Sequence, residues 1–293
     1  MMSMDRACSE IERVVINELK SSDYQELLPL ISPPHLGYVE EARLKRIFNP
    51  ADPNTVTGLA IRASGKLVGA VGFIPQKRVS RSGKVVNTIN LTCAVTHPDY
   101  RGYGLRTLSF LRQQFDDTLF TVLSASHTSD SVAKKFLKAK DESDRFQVIA
   151  TLEPETDSCI DIYTGKEGFA FLTDDQKSIF FAHEELECEQ HVLKSEEDVC
   201  FIVTRKATLC DMLCTEIVYY SNPDFLIRSK GTIAKYVTTY DQTQRCVISI
   251  SDTPECLVDQ SCQIMMREPR ITFGLNEDVP FISLYSENLI LGI

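Results

Sequence analysis

One stretch, residues 88–115, constrains the fold more than any other part of the chain, because two different periodicities meet in it. Apolar residues alternate with polar or small ones from Ile89 to Val95, which is the pattern of a β-strand. His97-Pro98-Asp99 ends that strand, since proline donates no ladder hydrogen bond and restricts the residue before it. A helix that packs on a sheet is predicted from Gly104, because apolar residues then recur at spacings of three and four: Leu105, Leu108, Leu111 and Phe115.

The turn between this strand and helix, from Arg101 to Arg106, has the character of an anion site. Gly102 and Gly104 carry no side chains, so backbone N–H groups can point outward at the N-terminus of the helix. The positive end of the helix dipole favours phosphate there, and the two arginines add fixed positive charge. The sequence therefore predicts that this turn binds an anion.

The elements that precede this stretch predict an α+β domain. Capping residues Ser21-Ser22-Asp23 begin a helix that reaches Ile31. Glycine and proline mark the other boundaries, which gives a strand over 11–19, a second helix over 39–48, and strands over 55–63 and 67–75.

A linker is the main feature of the residues that follow. We predict a strand over 118–124, a basic helix over 132–140 and a strand over 145–152, with four residues of that helix facing inward: Val132, Ala133, Phe136 and Leu137. The segment 153–158 is polar, acidic and contains proline, the strongest linker signal in the chain. We therefore predict an N-terminal domain over residues 1–155 and a C-terminal domain over residues 156–293.

The second domain is predicted to repeat the first at lower regularity. A long acidic helix over 173–193 is followed by strands, a helix and further strands, over 199–204, 215–220, 222–240, 245–251, 263–273 and 280–293. The order strand, strand, helix, strand matches the middle of the first domain. No glycine-rich turn lies between strand and helix here, so a phosphate site is not expected in this half.

Charge limits the classes of partner. The chain has 31 Lys+Arg against 41 Asp+Glu, a formal net charge of −10. Nucleic acid is therefore a poor partner, because its phosphates require a basic surface. A cationic or amine-bearing partner fits better, although acidic surface that serves solubility explains the charge equally well.

Composition also predicts the compartment and the state of the cysteines. No apolar run approaches the roughly 18 residues of a membrane span, and the first ten residues are polar and charged, so we expect a cytoplasmic protein. Ten cysteines contain no C-x-x-C pair, and several lie in apolar strand-like runs. Reduced buried thiols are the main prediction, with a disulfide framework or a zinc site as the alternative; no metal cofactor is expected.

With the element order and the turn in hand, the chain resembles the GNAT superfamily of N-acetyltransferases, in its tandem form with a degenerate second domain. The family's turn, [QR]-x-x-G-x-[GA], is commonly preceded by Val-x-Pro-x-Tyr, and the matching residues are Val95, Pro98, Tyr100, Arg101 and Gly104. The resemblance covers roughly residues 11–152. It implies an α+β fold, with a mixed and mainly antiparallel sheet flanked by helices, followed by a GNAT-like second domain.

The resemblance also implies acyl-coenzyme A (acyl-CoA) binding. The turn would hold the pyrophosphate, and the strand end at Ala94–Thr96 would pair with the pantetheine arm. The implied cofactor-binding residues are Ala94, Val95, Thr96, Arg101, Gly102, Tyr103, Gly104, Leu105, Arg106 and Ser129. Acetyl-CoA is the expected cosubstrate and an amine the expected acceptor, while a homo-oligomer stays open.

The chain departs from the family pattern in three respects. Arg106 stands where glycine or alanine is usual, so its side chain either reaches a phosphate or blocks the site. Ser129 and Phe136 occupy the positions of an asparagine and of a tyrosine that protonates the departing thiolate, and phenylalanine has no proton to give. On the strand, Asn90 and Thr92 stand where relatives often hold a carboxylate base.

Proton transfer then has few candidates, namely His97, Tyr100, Tyr103 and His127. His127 follows the 118–124 strand and is the first choice, with a solvated loop histidine that caps a helix as the alternative. Two-domain relatives that resemble this layout, the N-myristoyltransferases and the enhanced-intracellular-survival acetyltransferases, use the C-terminal carboxylate as base. This chain ends in an apolar segment at Ile293, which is either that base or the end of a plain terminal strand.

The predicted function is that of an enzyme, an N-acetyltransferase in which an amine attacks acetyl-CoA directly in a ternary complex. The alternatives are a transferase for other acyl chains or amino sugars, and a non-catalytic acyl-CoA-binding sensor or scaffold. Phe136 and the absent strand carboxylate favour the last.

Overall fold

The computed structural model describes residues 13–31, 41–80, 82–122, 127–141, 145–149, 160–209, 211–249, 264–266, 271–276 and 279. Contacts along the chain divide it into two units, residues 1–73 with 91–116 and residues 74–90 with 117–293. The division passes through two long strands rather than through the predicted linker at 153–158, which lies outside the described residues. A boundary at residue 155 stays a prediction.

The first unit contains the helices and strands that were predicted before residue 88, together with parts of the 88–115 stretch. They are β1 (Val14–Lys20), α1 (Tyr24–Ile31), α2 (Glu41–Phe48), β2 (Val56–Ala63), the start of β3 (Lys66–Val79), the end of β4 (Val85–Thr96) and α3 (Gly102–Gln114). Ser64 and Gly65, both with positive φ, form the two-residue turn between β2 and β3. Helix α2 packs closely on β3, since a Cβ atom on Gly72 would lie 2.6 Å from Cζ of Phe48.

The second unit begins with β5 (Thr118–Val122), α4 (His127–Leu137), β6 (Lys140–Asp141) and β7 (Arg145–Ile149). It continues with β8 (Asp161–Thr164), α5 (Asp174–His183), β9 (Glu189–Lys194), β10 (Val199–Leu209), β11 (Met212–Tyr220), α6 (Pro223–Asp241), β12 (Arg245–Ser249), β13 (Ile264–Met266) and β14 (Ile271–Gly274). Short 3-10 helices cover Ser21–Asp23, Pro98–Tyr100 and Gly165–Phe171.

Two seven-stranded sheets share one topology. The first has the order β1-β2-β3-β4-β5-β14-β6, and the second has the order β13-β7-β12-β11-β10-β9-β8. In the first, β4 and β5 are parallel and α3 connects them. In the second, β11 and β12 are parallel and α6 connects them, while β8 to β11 are antiparallel. The second half therefore repeats the α+β architecture of the first, as the sequence predicted.

The two sheets exchange a strand. β7 precedes every other strand of the second sheet in sequence and pairs with β12 and β13. β14, which lies near the end of the described chain, pairs with β5 and β6 in the first sheet. Each sheet is thus completed by a segment from the other part of the chain.

The second sheet buries apolar side chains on both faces. Alternate residues of β10 divide between them, since Cys200 and Ile202 pack with α6 while Phe201 and Val203 pack with Phe180 of α5. This period-two division is what a strand covered on both sides requires. The cysteines that the structure describes are free thiols, three of them buried: Cys200, Cys214 and Cys246.

The predicted helix over 173–193 is wrong in its second half. Helix α5 ends at His183, and residues 189–194 form β9, which pairs with β10 along its whole length. Glutamates at 184, 185, 187 and 189 suggested a helix. Pairing with β10 and burial of four consecutive side chains, at 190–193, override that propensity.

Other details also differ from the predictions. The run 263–273 is two strands in different sheets, β13 and β14, and the sequence did not predict β6 or β8. Leu105 is 37% exposed and Phe136 is 53% exposed, although both were predicted to face inward. Each lies at the border of its apolar face, while Leu111 and Leu137 at the centres are buried.

Candidate anion-binding site at the start of helix α3

The site begins at the end of β4, where the backbone leaves regular geometry. Cys93 has φ of 51°, a left-handed conformation that costs a non-glycine residue about 1–2 kcal/mol. β4 pairs with β5 from Asn87, opposite Thr118, to Asn90, opposite Thr121. Among the described residues, this pairing ends before Cys93. The last residues of the strand are only partly covered: Ala94 is exposed, while Val95 and Thr96 are half-buried.

Backbone contacts fix where this strand end lies. The N–H of His97 donates to the carbonyl of Val68 on β3, at 2.8 Å. Gly69 comes so close that a Cβ atom on it would lie 3.0 Å from the carbonyl oxygen of Val95 and 3.1 Å from Oγ1 of Thr96. The absence of a side chain at residue 69 therefore permits this approach of β3 to the strand end.

The turn that follows the strand is a single 3-10 turn, Pro98–Tyr100, which runs into α3. Nδ1 of His97 accepts a hydrogen bond from the N–H of Asp99, at 3.4 Å, and also lies 3.6 Å from the Asp99 carboxylate. The hydrogen bond requires an unprotonated Nδ1. Pro98 at the first position matches the preference of helix starts.

The start of α3 has no side-chain cap. Arg101 precedes the helix and its side chain makes no capping hydrogen bond. The N–H of Gly104 donates to the carbonyl of Arg101, at 3.2 Å, and the N–H groups of Gly102 and Tyr103 precede it, at positions where an α-helix offers no acceptor of its own. Such donors, at the positive end of a helix, are suited to an anion.

Open space lies above these two donors. A Cβ atom on Gly102 would meet nothing within 4 Å, and its φ lies outside the region that strains other residues. The fold alone therefore does not require glycine at residue 102, whereas a ligand that approaches the backbone closely would. Gly104 is more enclosed, because its Cβ would lie 3.6 Å from Oγ1 of Thr96.

Two guanidinium groups flank the turn. Arg101 and Arg106 are both exposed, and neither forms an ion pair with a residue that the structure describes. The guanidinium carbon of Arg106 lies over the Tyr103 ring, 4.7 Å from its centroid. The side chain of Arg106 thus extends along the outside of the first helical turn.

Helix α6 occupies the equivalent place in the second sheet and begins differently. Oδ1 of Asn222 accepts a hydrogen bond from the N–H of Phe225, at 3.0 Å, and Pro223 removes another donor. The start of α6 therefore satisfies its own donors. That only the first half of the chain carries an anion site stays a prediction.

Three predicted site residues lie partly or wholly outside the part of the chain that the structure describes. His127 is the first residue of α4 and Ser129 lies in its first turn, but their side chains lie outside the described part. Ile293 also lies outside it. The roles predicted for these three residues stay predictions.

The remaining positions of interest belong to the sheet and to α4. Asn90 is fully buried and its Nδ2 donates to Oγ1 of Thr121, at 3.0 Å. Leu105 and Phe136 are exposed. Asn90 therefore contributes to the pairing of β4 with β5 rather than standing open as a base.

Sequence reasoning missed two residues that shape the site. Cys93 gives no sequence signal for its positive φ, because a free cysteine resembles any small apolar residue in a strand. Gly69 did carry one, since a glycine inside a strand pattern indicates close approach of another backbone.

Two further observations concern the chain as a whole. None of the helices in the described ranges combines the length and the apolar character needed to cross a membrane. Nor do the described His, Cys, Asp and Glu side chains come together in a group of three that would hold a metal ion.

No family model matches the chain, and no curated protein matches its sequence. Solved structures do match it. A GCN5-related N-acetyltransferase from Anabaena variabilis aligns with a TM-score of 0.61 at 12% identity, over 89% of this chain and 72% of that one.

Two other structures align over the same share of this chain, 89%. A GCN5-related N-acetyltransferase from Kribbella flavida gives a TM-score of 0.58 at 11% identity, with 71% of its own chain covered. A conserved protein of unknown function from Enterococcus faecalis gives 0.55 at 13% identity, with 72% covered. The chain therefore has the fold of the GCN5-related N-acetyltransferases, as its sequence pattern predicted.

Proposed function

We propose that this protein is an acyl-CoA-dependent N-acyltransferase that moves an acetyl group from acetyl-CoA to an amine. The observation that carries the proposal is the start of α3, which has no side-chain capping hydrogen bond from Arg101 and begins with glycine at residue 102. Open space above Gly102 and the exposed guanidinium of Arg101 accompany it. The GNAT fold supports the proposal as an analogy, since fold alone does not determine function.

The turn fits the pyrophosphate of coenzyme A. A diphosphate carries several acceptor oxygens and negative charge, which the first N–H groups of a helix and the helix dipole favour. Arg101 would add a charge-assisted hydrogen bond, and Gly102 leaves its backbone accessible to a phosphate oxygen.

The strand end supports the other half of the same ligand. Pantetheine contains two amides, and an extended chain with amides binds an exposed strand edge by main-chain hydrogen bonds. The partly exposed residues Ala94, Val95 and Thr96 offer such an edge. Gly69 and the N–H of His97 hold that edge in place from β3.

Bound acetyl-CoA would supply an activated thioester, whose carbonyl carbon a neutral amine attacks. A C–N bond forms, the C–S bond breaks, and CoA leaves as a thiolate that becomes the free thiol when it takes up a proton. The chain's own residues must take up the proton that the amine loses. We assign that role to His127, with Tyr103 and the carboxylate of Ile293 as the other candidates. The acidic balance of the chain, −10, agrees with an acceptor that carries amines.

A second function, a non-catalytic acyl-CoA-binding sensor, is favoured by two particular residues. Phe136 stands where the resemblance assigns a proton-donating tyrosine, and it is 53% exposed. Asn90 on β4 offers no carboxylate, and its amide is engaged with Thr121. These observations leave binding intact and weaken the case for transfer.

Calorimetry on the full-length chain tests binding first. Acetyl-CoA should bind with a one-to-one stoichiometry, and Arg101→Gln should weaken it about tenfold, as the loss of one charge-assisted hydrogen bond would. Arg112→Gln is the matched control, because Arg112 lies on the same helix in its last turn. Absence of binding by the unmodified chain would contradict the proposal.

Release of free thiol from acetyl-CoA then separates the two functions. The acceptors are spermidine, kanamycin, glucosamine and a lysine-containing peptide, which represent four classes of amine. Thiol release that requires one of them supports the transferase. Tight binding without turnover on all four classes supports the sensor instead.

A further inference from the structure

A row of aromatic side chains continues from the strand end along the start of α3. The ring centroids of His97 and Tyr100 are 5.9 Å apart, and those of Tyr100 and Tyr103 are 6.5 Å apart. The guanidinium of Arg106 lies over the ring of Tyr103. We call these four residues the aromatic row.

Core packing does not account for this row. None of its members is buried: Tyr100 and Tyr103 are half-buried, while His97 and Arg106 are exposed. By contrast, Phe180 and Phe201, whose rings also lie near each other, are buried in the second sheet's core. Aromatic rings that lie together at the surface, beside a ligand site, offer a surface on which another planar ring can stack.

The two ends of the row differ in charge. At one end, the imidazole of His97 faces the carboxylate of Asp99, whose side chain is 82% exposed. At the other end, Arg106 covers one face of Tyr103 and forms no ion pair within the described residues. A stacked guanidinium keeps its outer face available, and such a face binds a planar π-system.

We propose that Tyr103 and Arg106 form a base-stacking subsite that holds the adenine ring of the coenzyme, next to the phosphate site on the same helical turn. This inference rests on the proposed binding of acyl-CoA and adds to it the residues that recognise the nucleotide half. Bases stack readily on aromatic rings and on arginine planes. Arg106, which departs from the GNAT pattern, is thereby a specificity residue rather than an obstruction.

The acceptor amine is a poorer occupant of this subsite. An ammonium group would meet the positive charges of Arg101 and Arg106 and the positive end of the α3 dipole. Adenine is neutral and planar, and the phosphates joined to it are anionic, so both parts of the nucleotide suit the turn.

Ligand fragments test the assignment on the full-length chain. Calorimetry would compare CoA, adenosine 3′,5′-bisphosphate and 4′-phosphopantetheine, of which only the first two carry adenine. Tyr103→Leu removes a stacking partner. It should weaken the binding of CoA and of adenosine 3′,5′-bisphosphate by about 5- to 150-fold, as base stacking of about 1–3 kcal/mol implies. Affinity for 4′-phosphopantetheine should stay within about twofold, and Arg106→Gln should show the same selectivity.

Two controls match these substitutions. Phe181→Leu removes an aromatic side chain that is 58% exposed in the second unit, and Arg112→Gln removes a charge from the same helix. Neither should alter the ratio of the fragment affinities. Thermal unfolding of each variant will show that the fold is retained, since both row residues are at least partly exposed.

Fluorescence gives an independent readout, because the chain contains no tryptophan. Tyr103→Trp keeps a stacking surface and introduces a single reporter. Its emission should be quenched by CoA and by adenosine 3′,5′-bisphosphate but not by 4′-phosphopantetheine, and quenching by 4′-phosphopantetheine as well would contradict the assignment.

The outcomes distinguish the two proposals. If the unmodified chain binds no CoA, that result contradicts both the proposed function and the subsite. An unmodified chain that binds CoA, together with a Tyr103→Leu variant that binds all three ligands as before, overturns the subsite alone. Equal weakening of all three ligands would also overturn it, because it would indicate a general effect on the turn.

Discussion

Gly69 lies directly against Val95, so closely that a methyl group on Gly69 would come within 3.0 Å of the Val95 carbonyl oxygen. The same methyl group would lie 2.9 Å from Cδ1 of Ile61. Gly69→Ala should therefore displace the end of β4, with a loss of stability of about 1–3 kcal/mol from overpacking. Urea unfolding would measure the loss.

Gly69→Ala should also weaken the binding of acetyl-CoA, because the end of β4 is the edge that we assign to pantetheine. The expected loss is about tenfold, which corresponds to about 1.4 kcal/mol. Unchanged affinity in a folded Gly69→Ala variant would show that residues 94–96 do not hold the ligand.

Gly102→Ala should weaken the binding of acetyl-CoA without lowering the stability of the fold. Nothing lies within 4 Å of the added Cβ, and alanine is the better helix residue, so stability should stay equal or rise by up to about 1 kcal/mol. Affinity for acetyl-CoA should nevertheless fall about tenfold, as a methyl group would keep phosphate oxygens from the backbone. Ser109→Ala, an exposed site on the same helix, is the control and should change neither quantity.

His191 should make the stability of the second sheet depend on pH. Its side chain is fully buried, with Nδ1 3.0 Å from Oγ1 of Thr164 and Nε2 3.5 Å from Oγ1 of Thr204. Burial lowers the pKa of His191 to about 4. The unfolded chain takes up this proton near pH 6.5, so the free energy of unfolding should fall between about pH 6.5 and 4, by up to about 3 kcal/mol.

A variant isolates this contribution. Burial also lowers the pKa of His183, which gives a pH dependence of the same sign. His191→Gln keeps hydrogen-bonding groups but does not titrate, so its unfolding free energy should vary less with pH than that of the unmodified chain. Parallel curves for the two proteins, measured by urea unfolding from pH 7 to 4, would contradict the assignment.

Arg205 and Glu216 form a buried ion pair across β10 and β11. Nε of Arg205 lies 2.7 Å from Oε2 of Glu216, with side chains 8% and 0% exposed. Arg205→Met should cost about 3–5 kcal/mol, because it removes a charge partner from a buried carboxylate. The double variant Arg205→Met/Glu216→Leu should recover most of that loss, and an additive loss in the double variant would argue against coupling.

The sequence predicted best where two local signals agreed. In residues 88–115 a strand period, a proline stop and a helix period fall in succession, and the structure has β4, a short turn and α3 there. The matching order of the second half, β10, β11, α6 and β12, was likewise readable. Each of these elements depends mainly on its own periodicity.

The sequence did not predict features that depend on residues far away in the chain. Residues 189–194 form a strand because β10 lies beside them, and local composition favoured a helix. The run 263–273 divides between two sheets because β7 and β5 offer separate pairing edges. The positive φ of Cys93 belongs to the same class, since no property of the cysteine side chain requires it.

The exchange of β7 and β14 between the sheets has a consequence for how the protein is made. Synthesis proceeds from the N-terminus, so β1 to β6 emerge from the ribosome well before β14, whose last residue is Gly274. Until then β5 lacks its neighbour and exposes an open edge that favours association with other chains. The first sheet can close only after residue 274 has been translated, and a chaperone that shields nascent edges would have its largest effect during that interval.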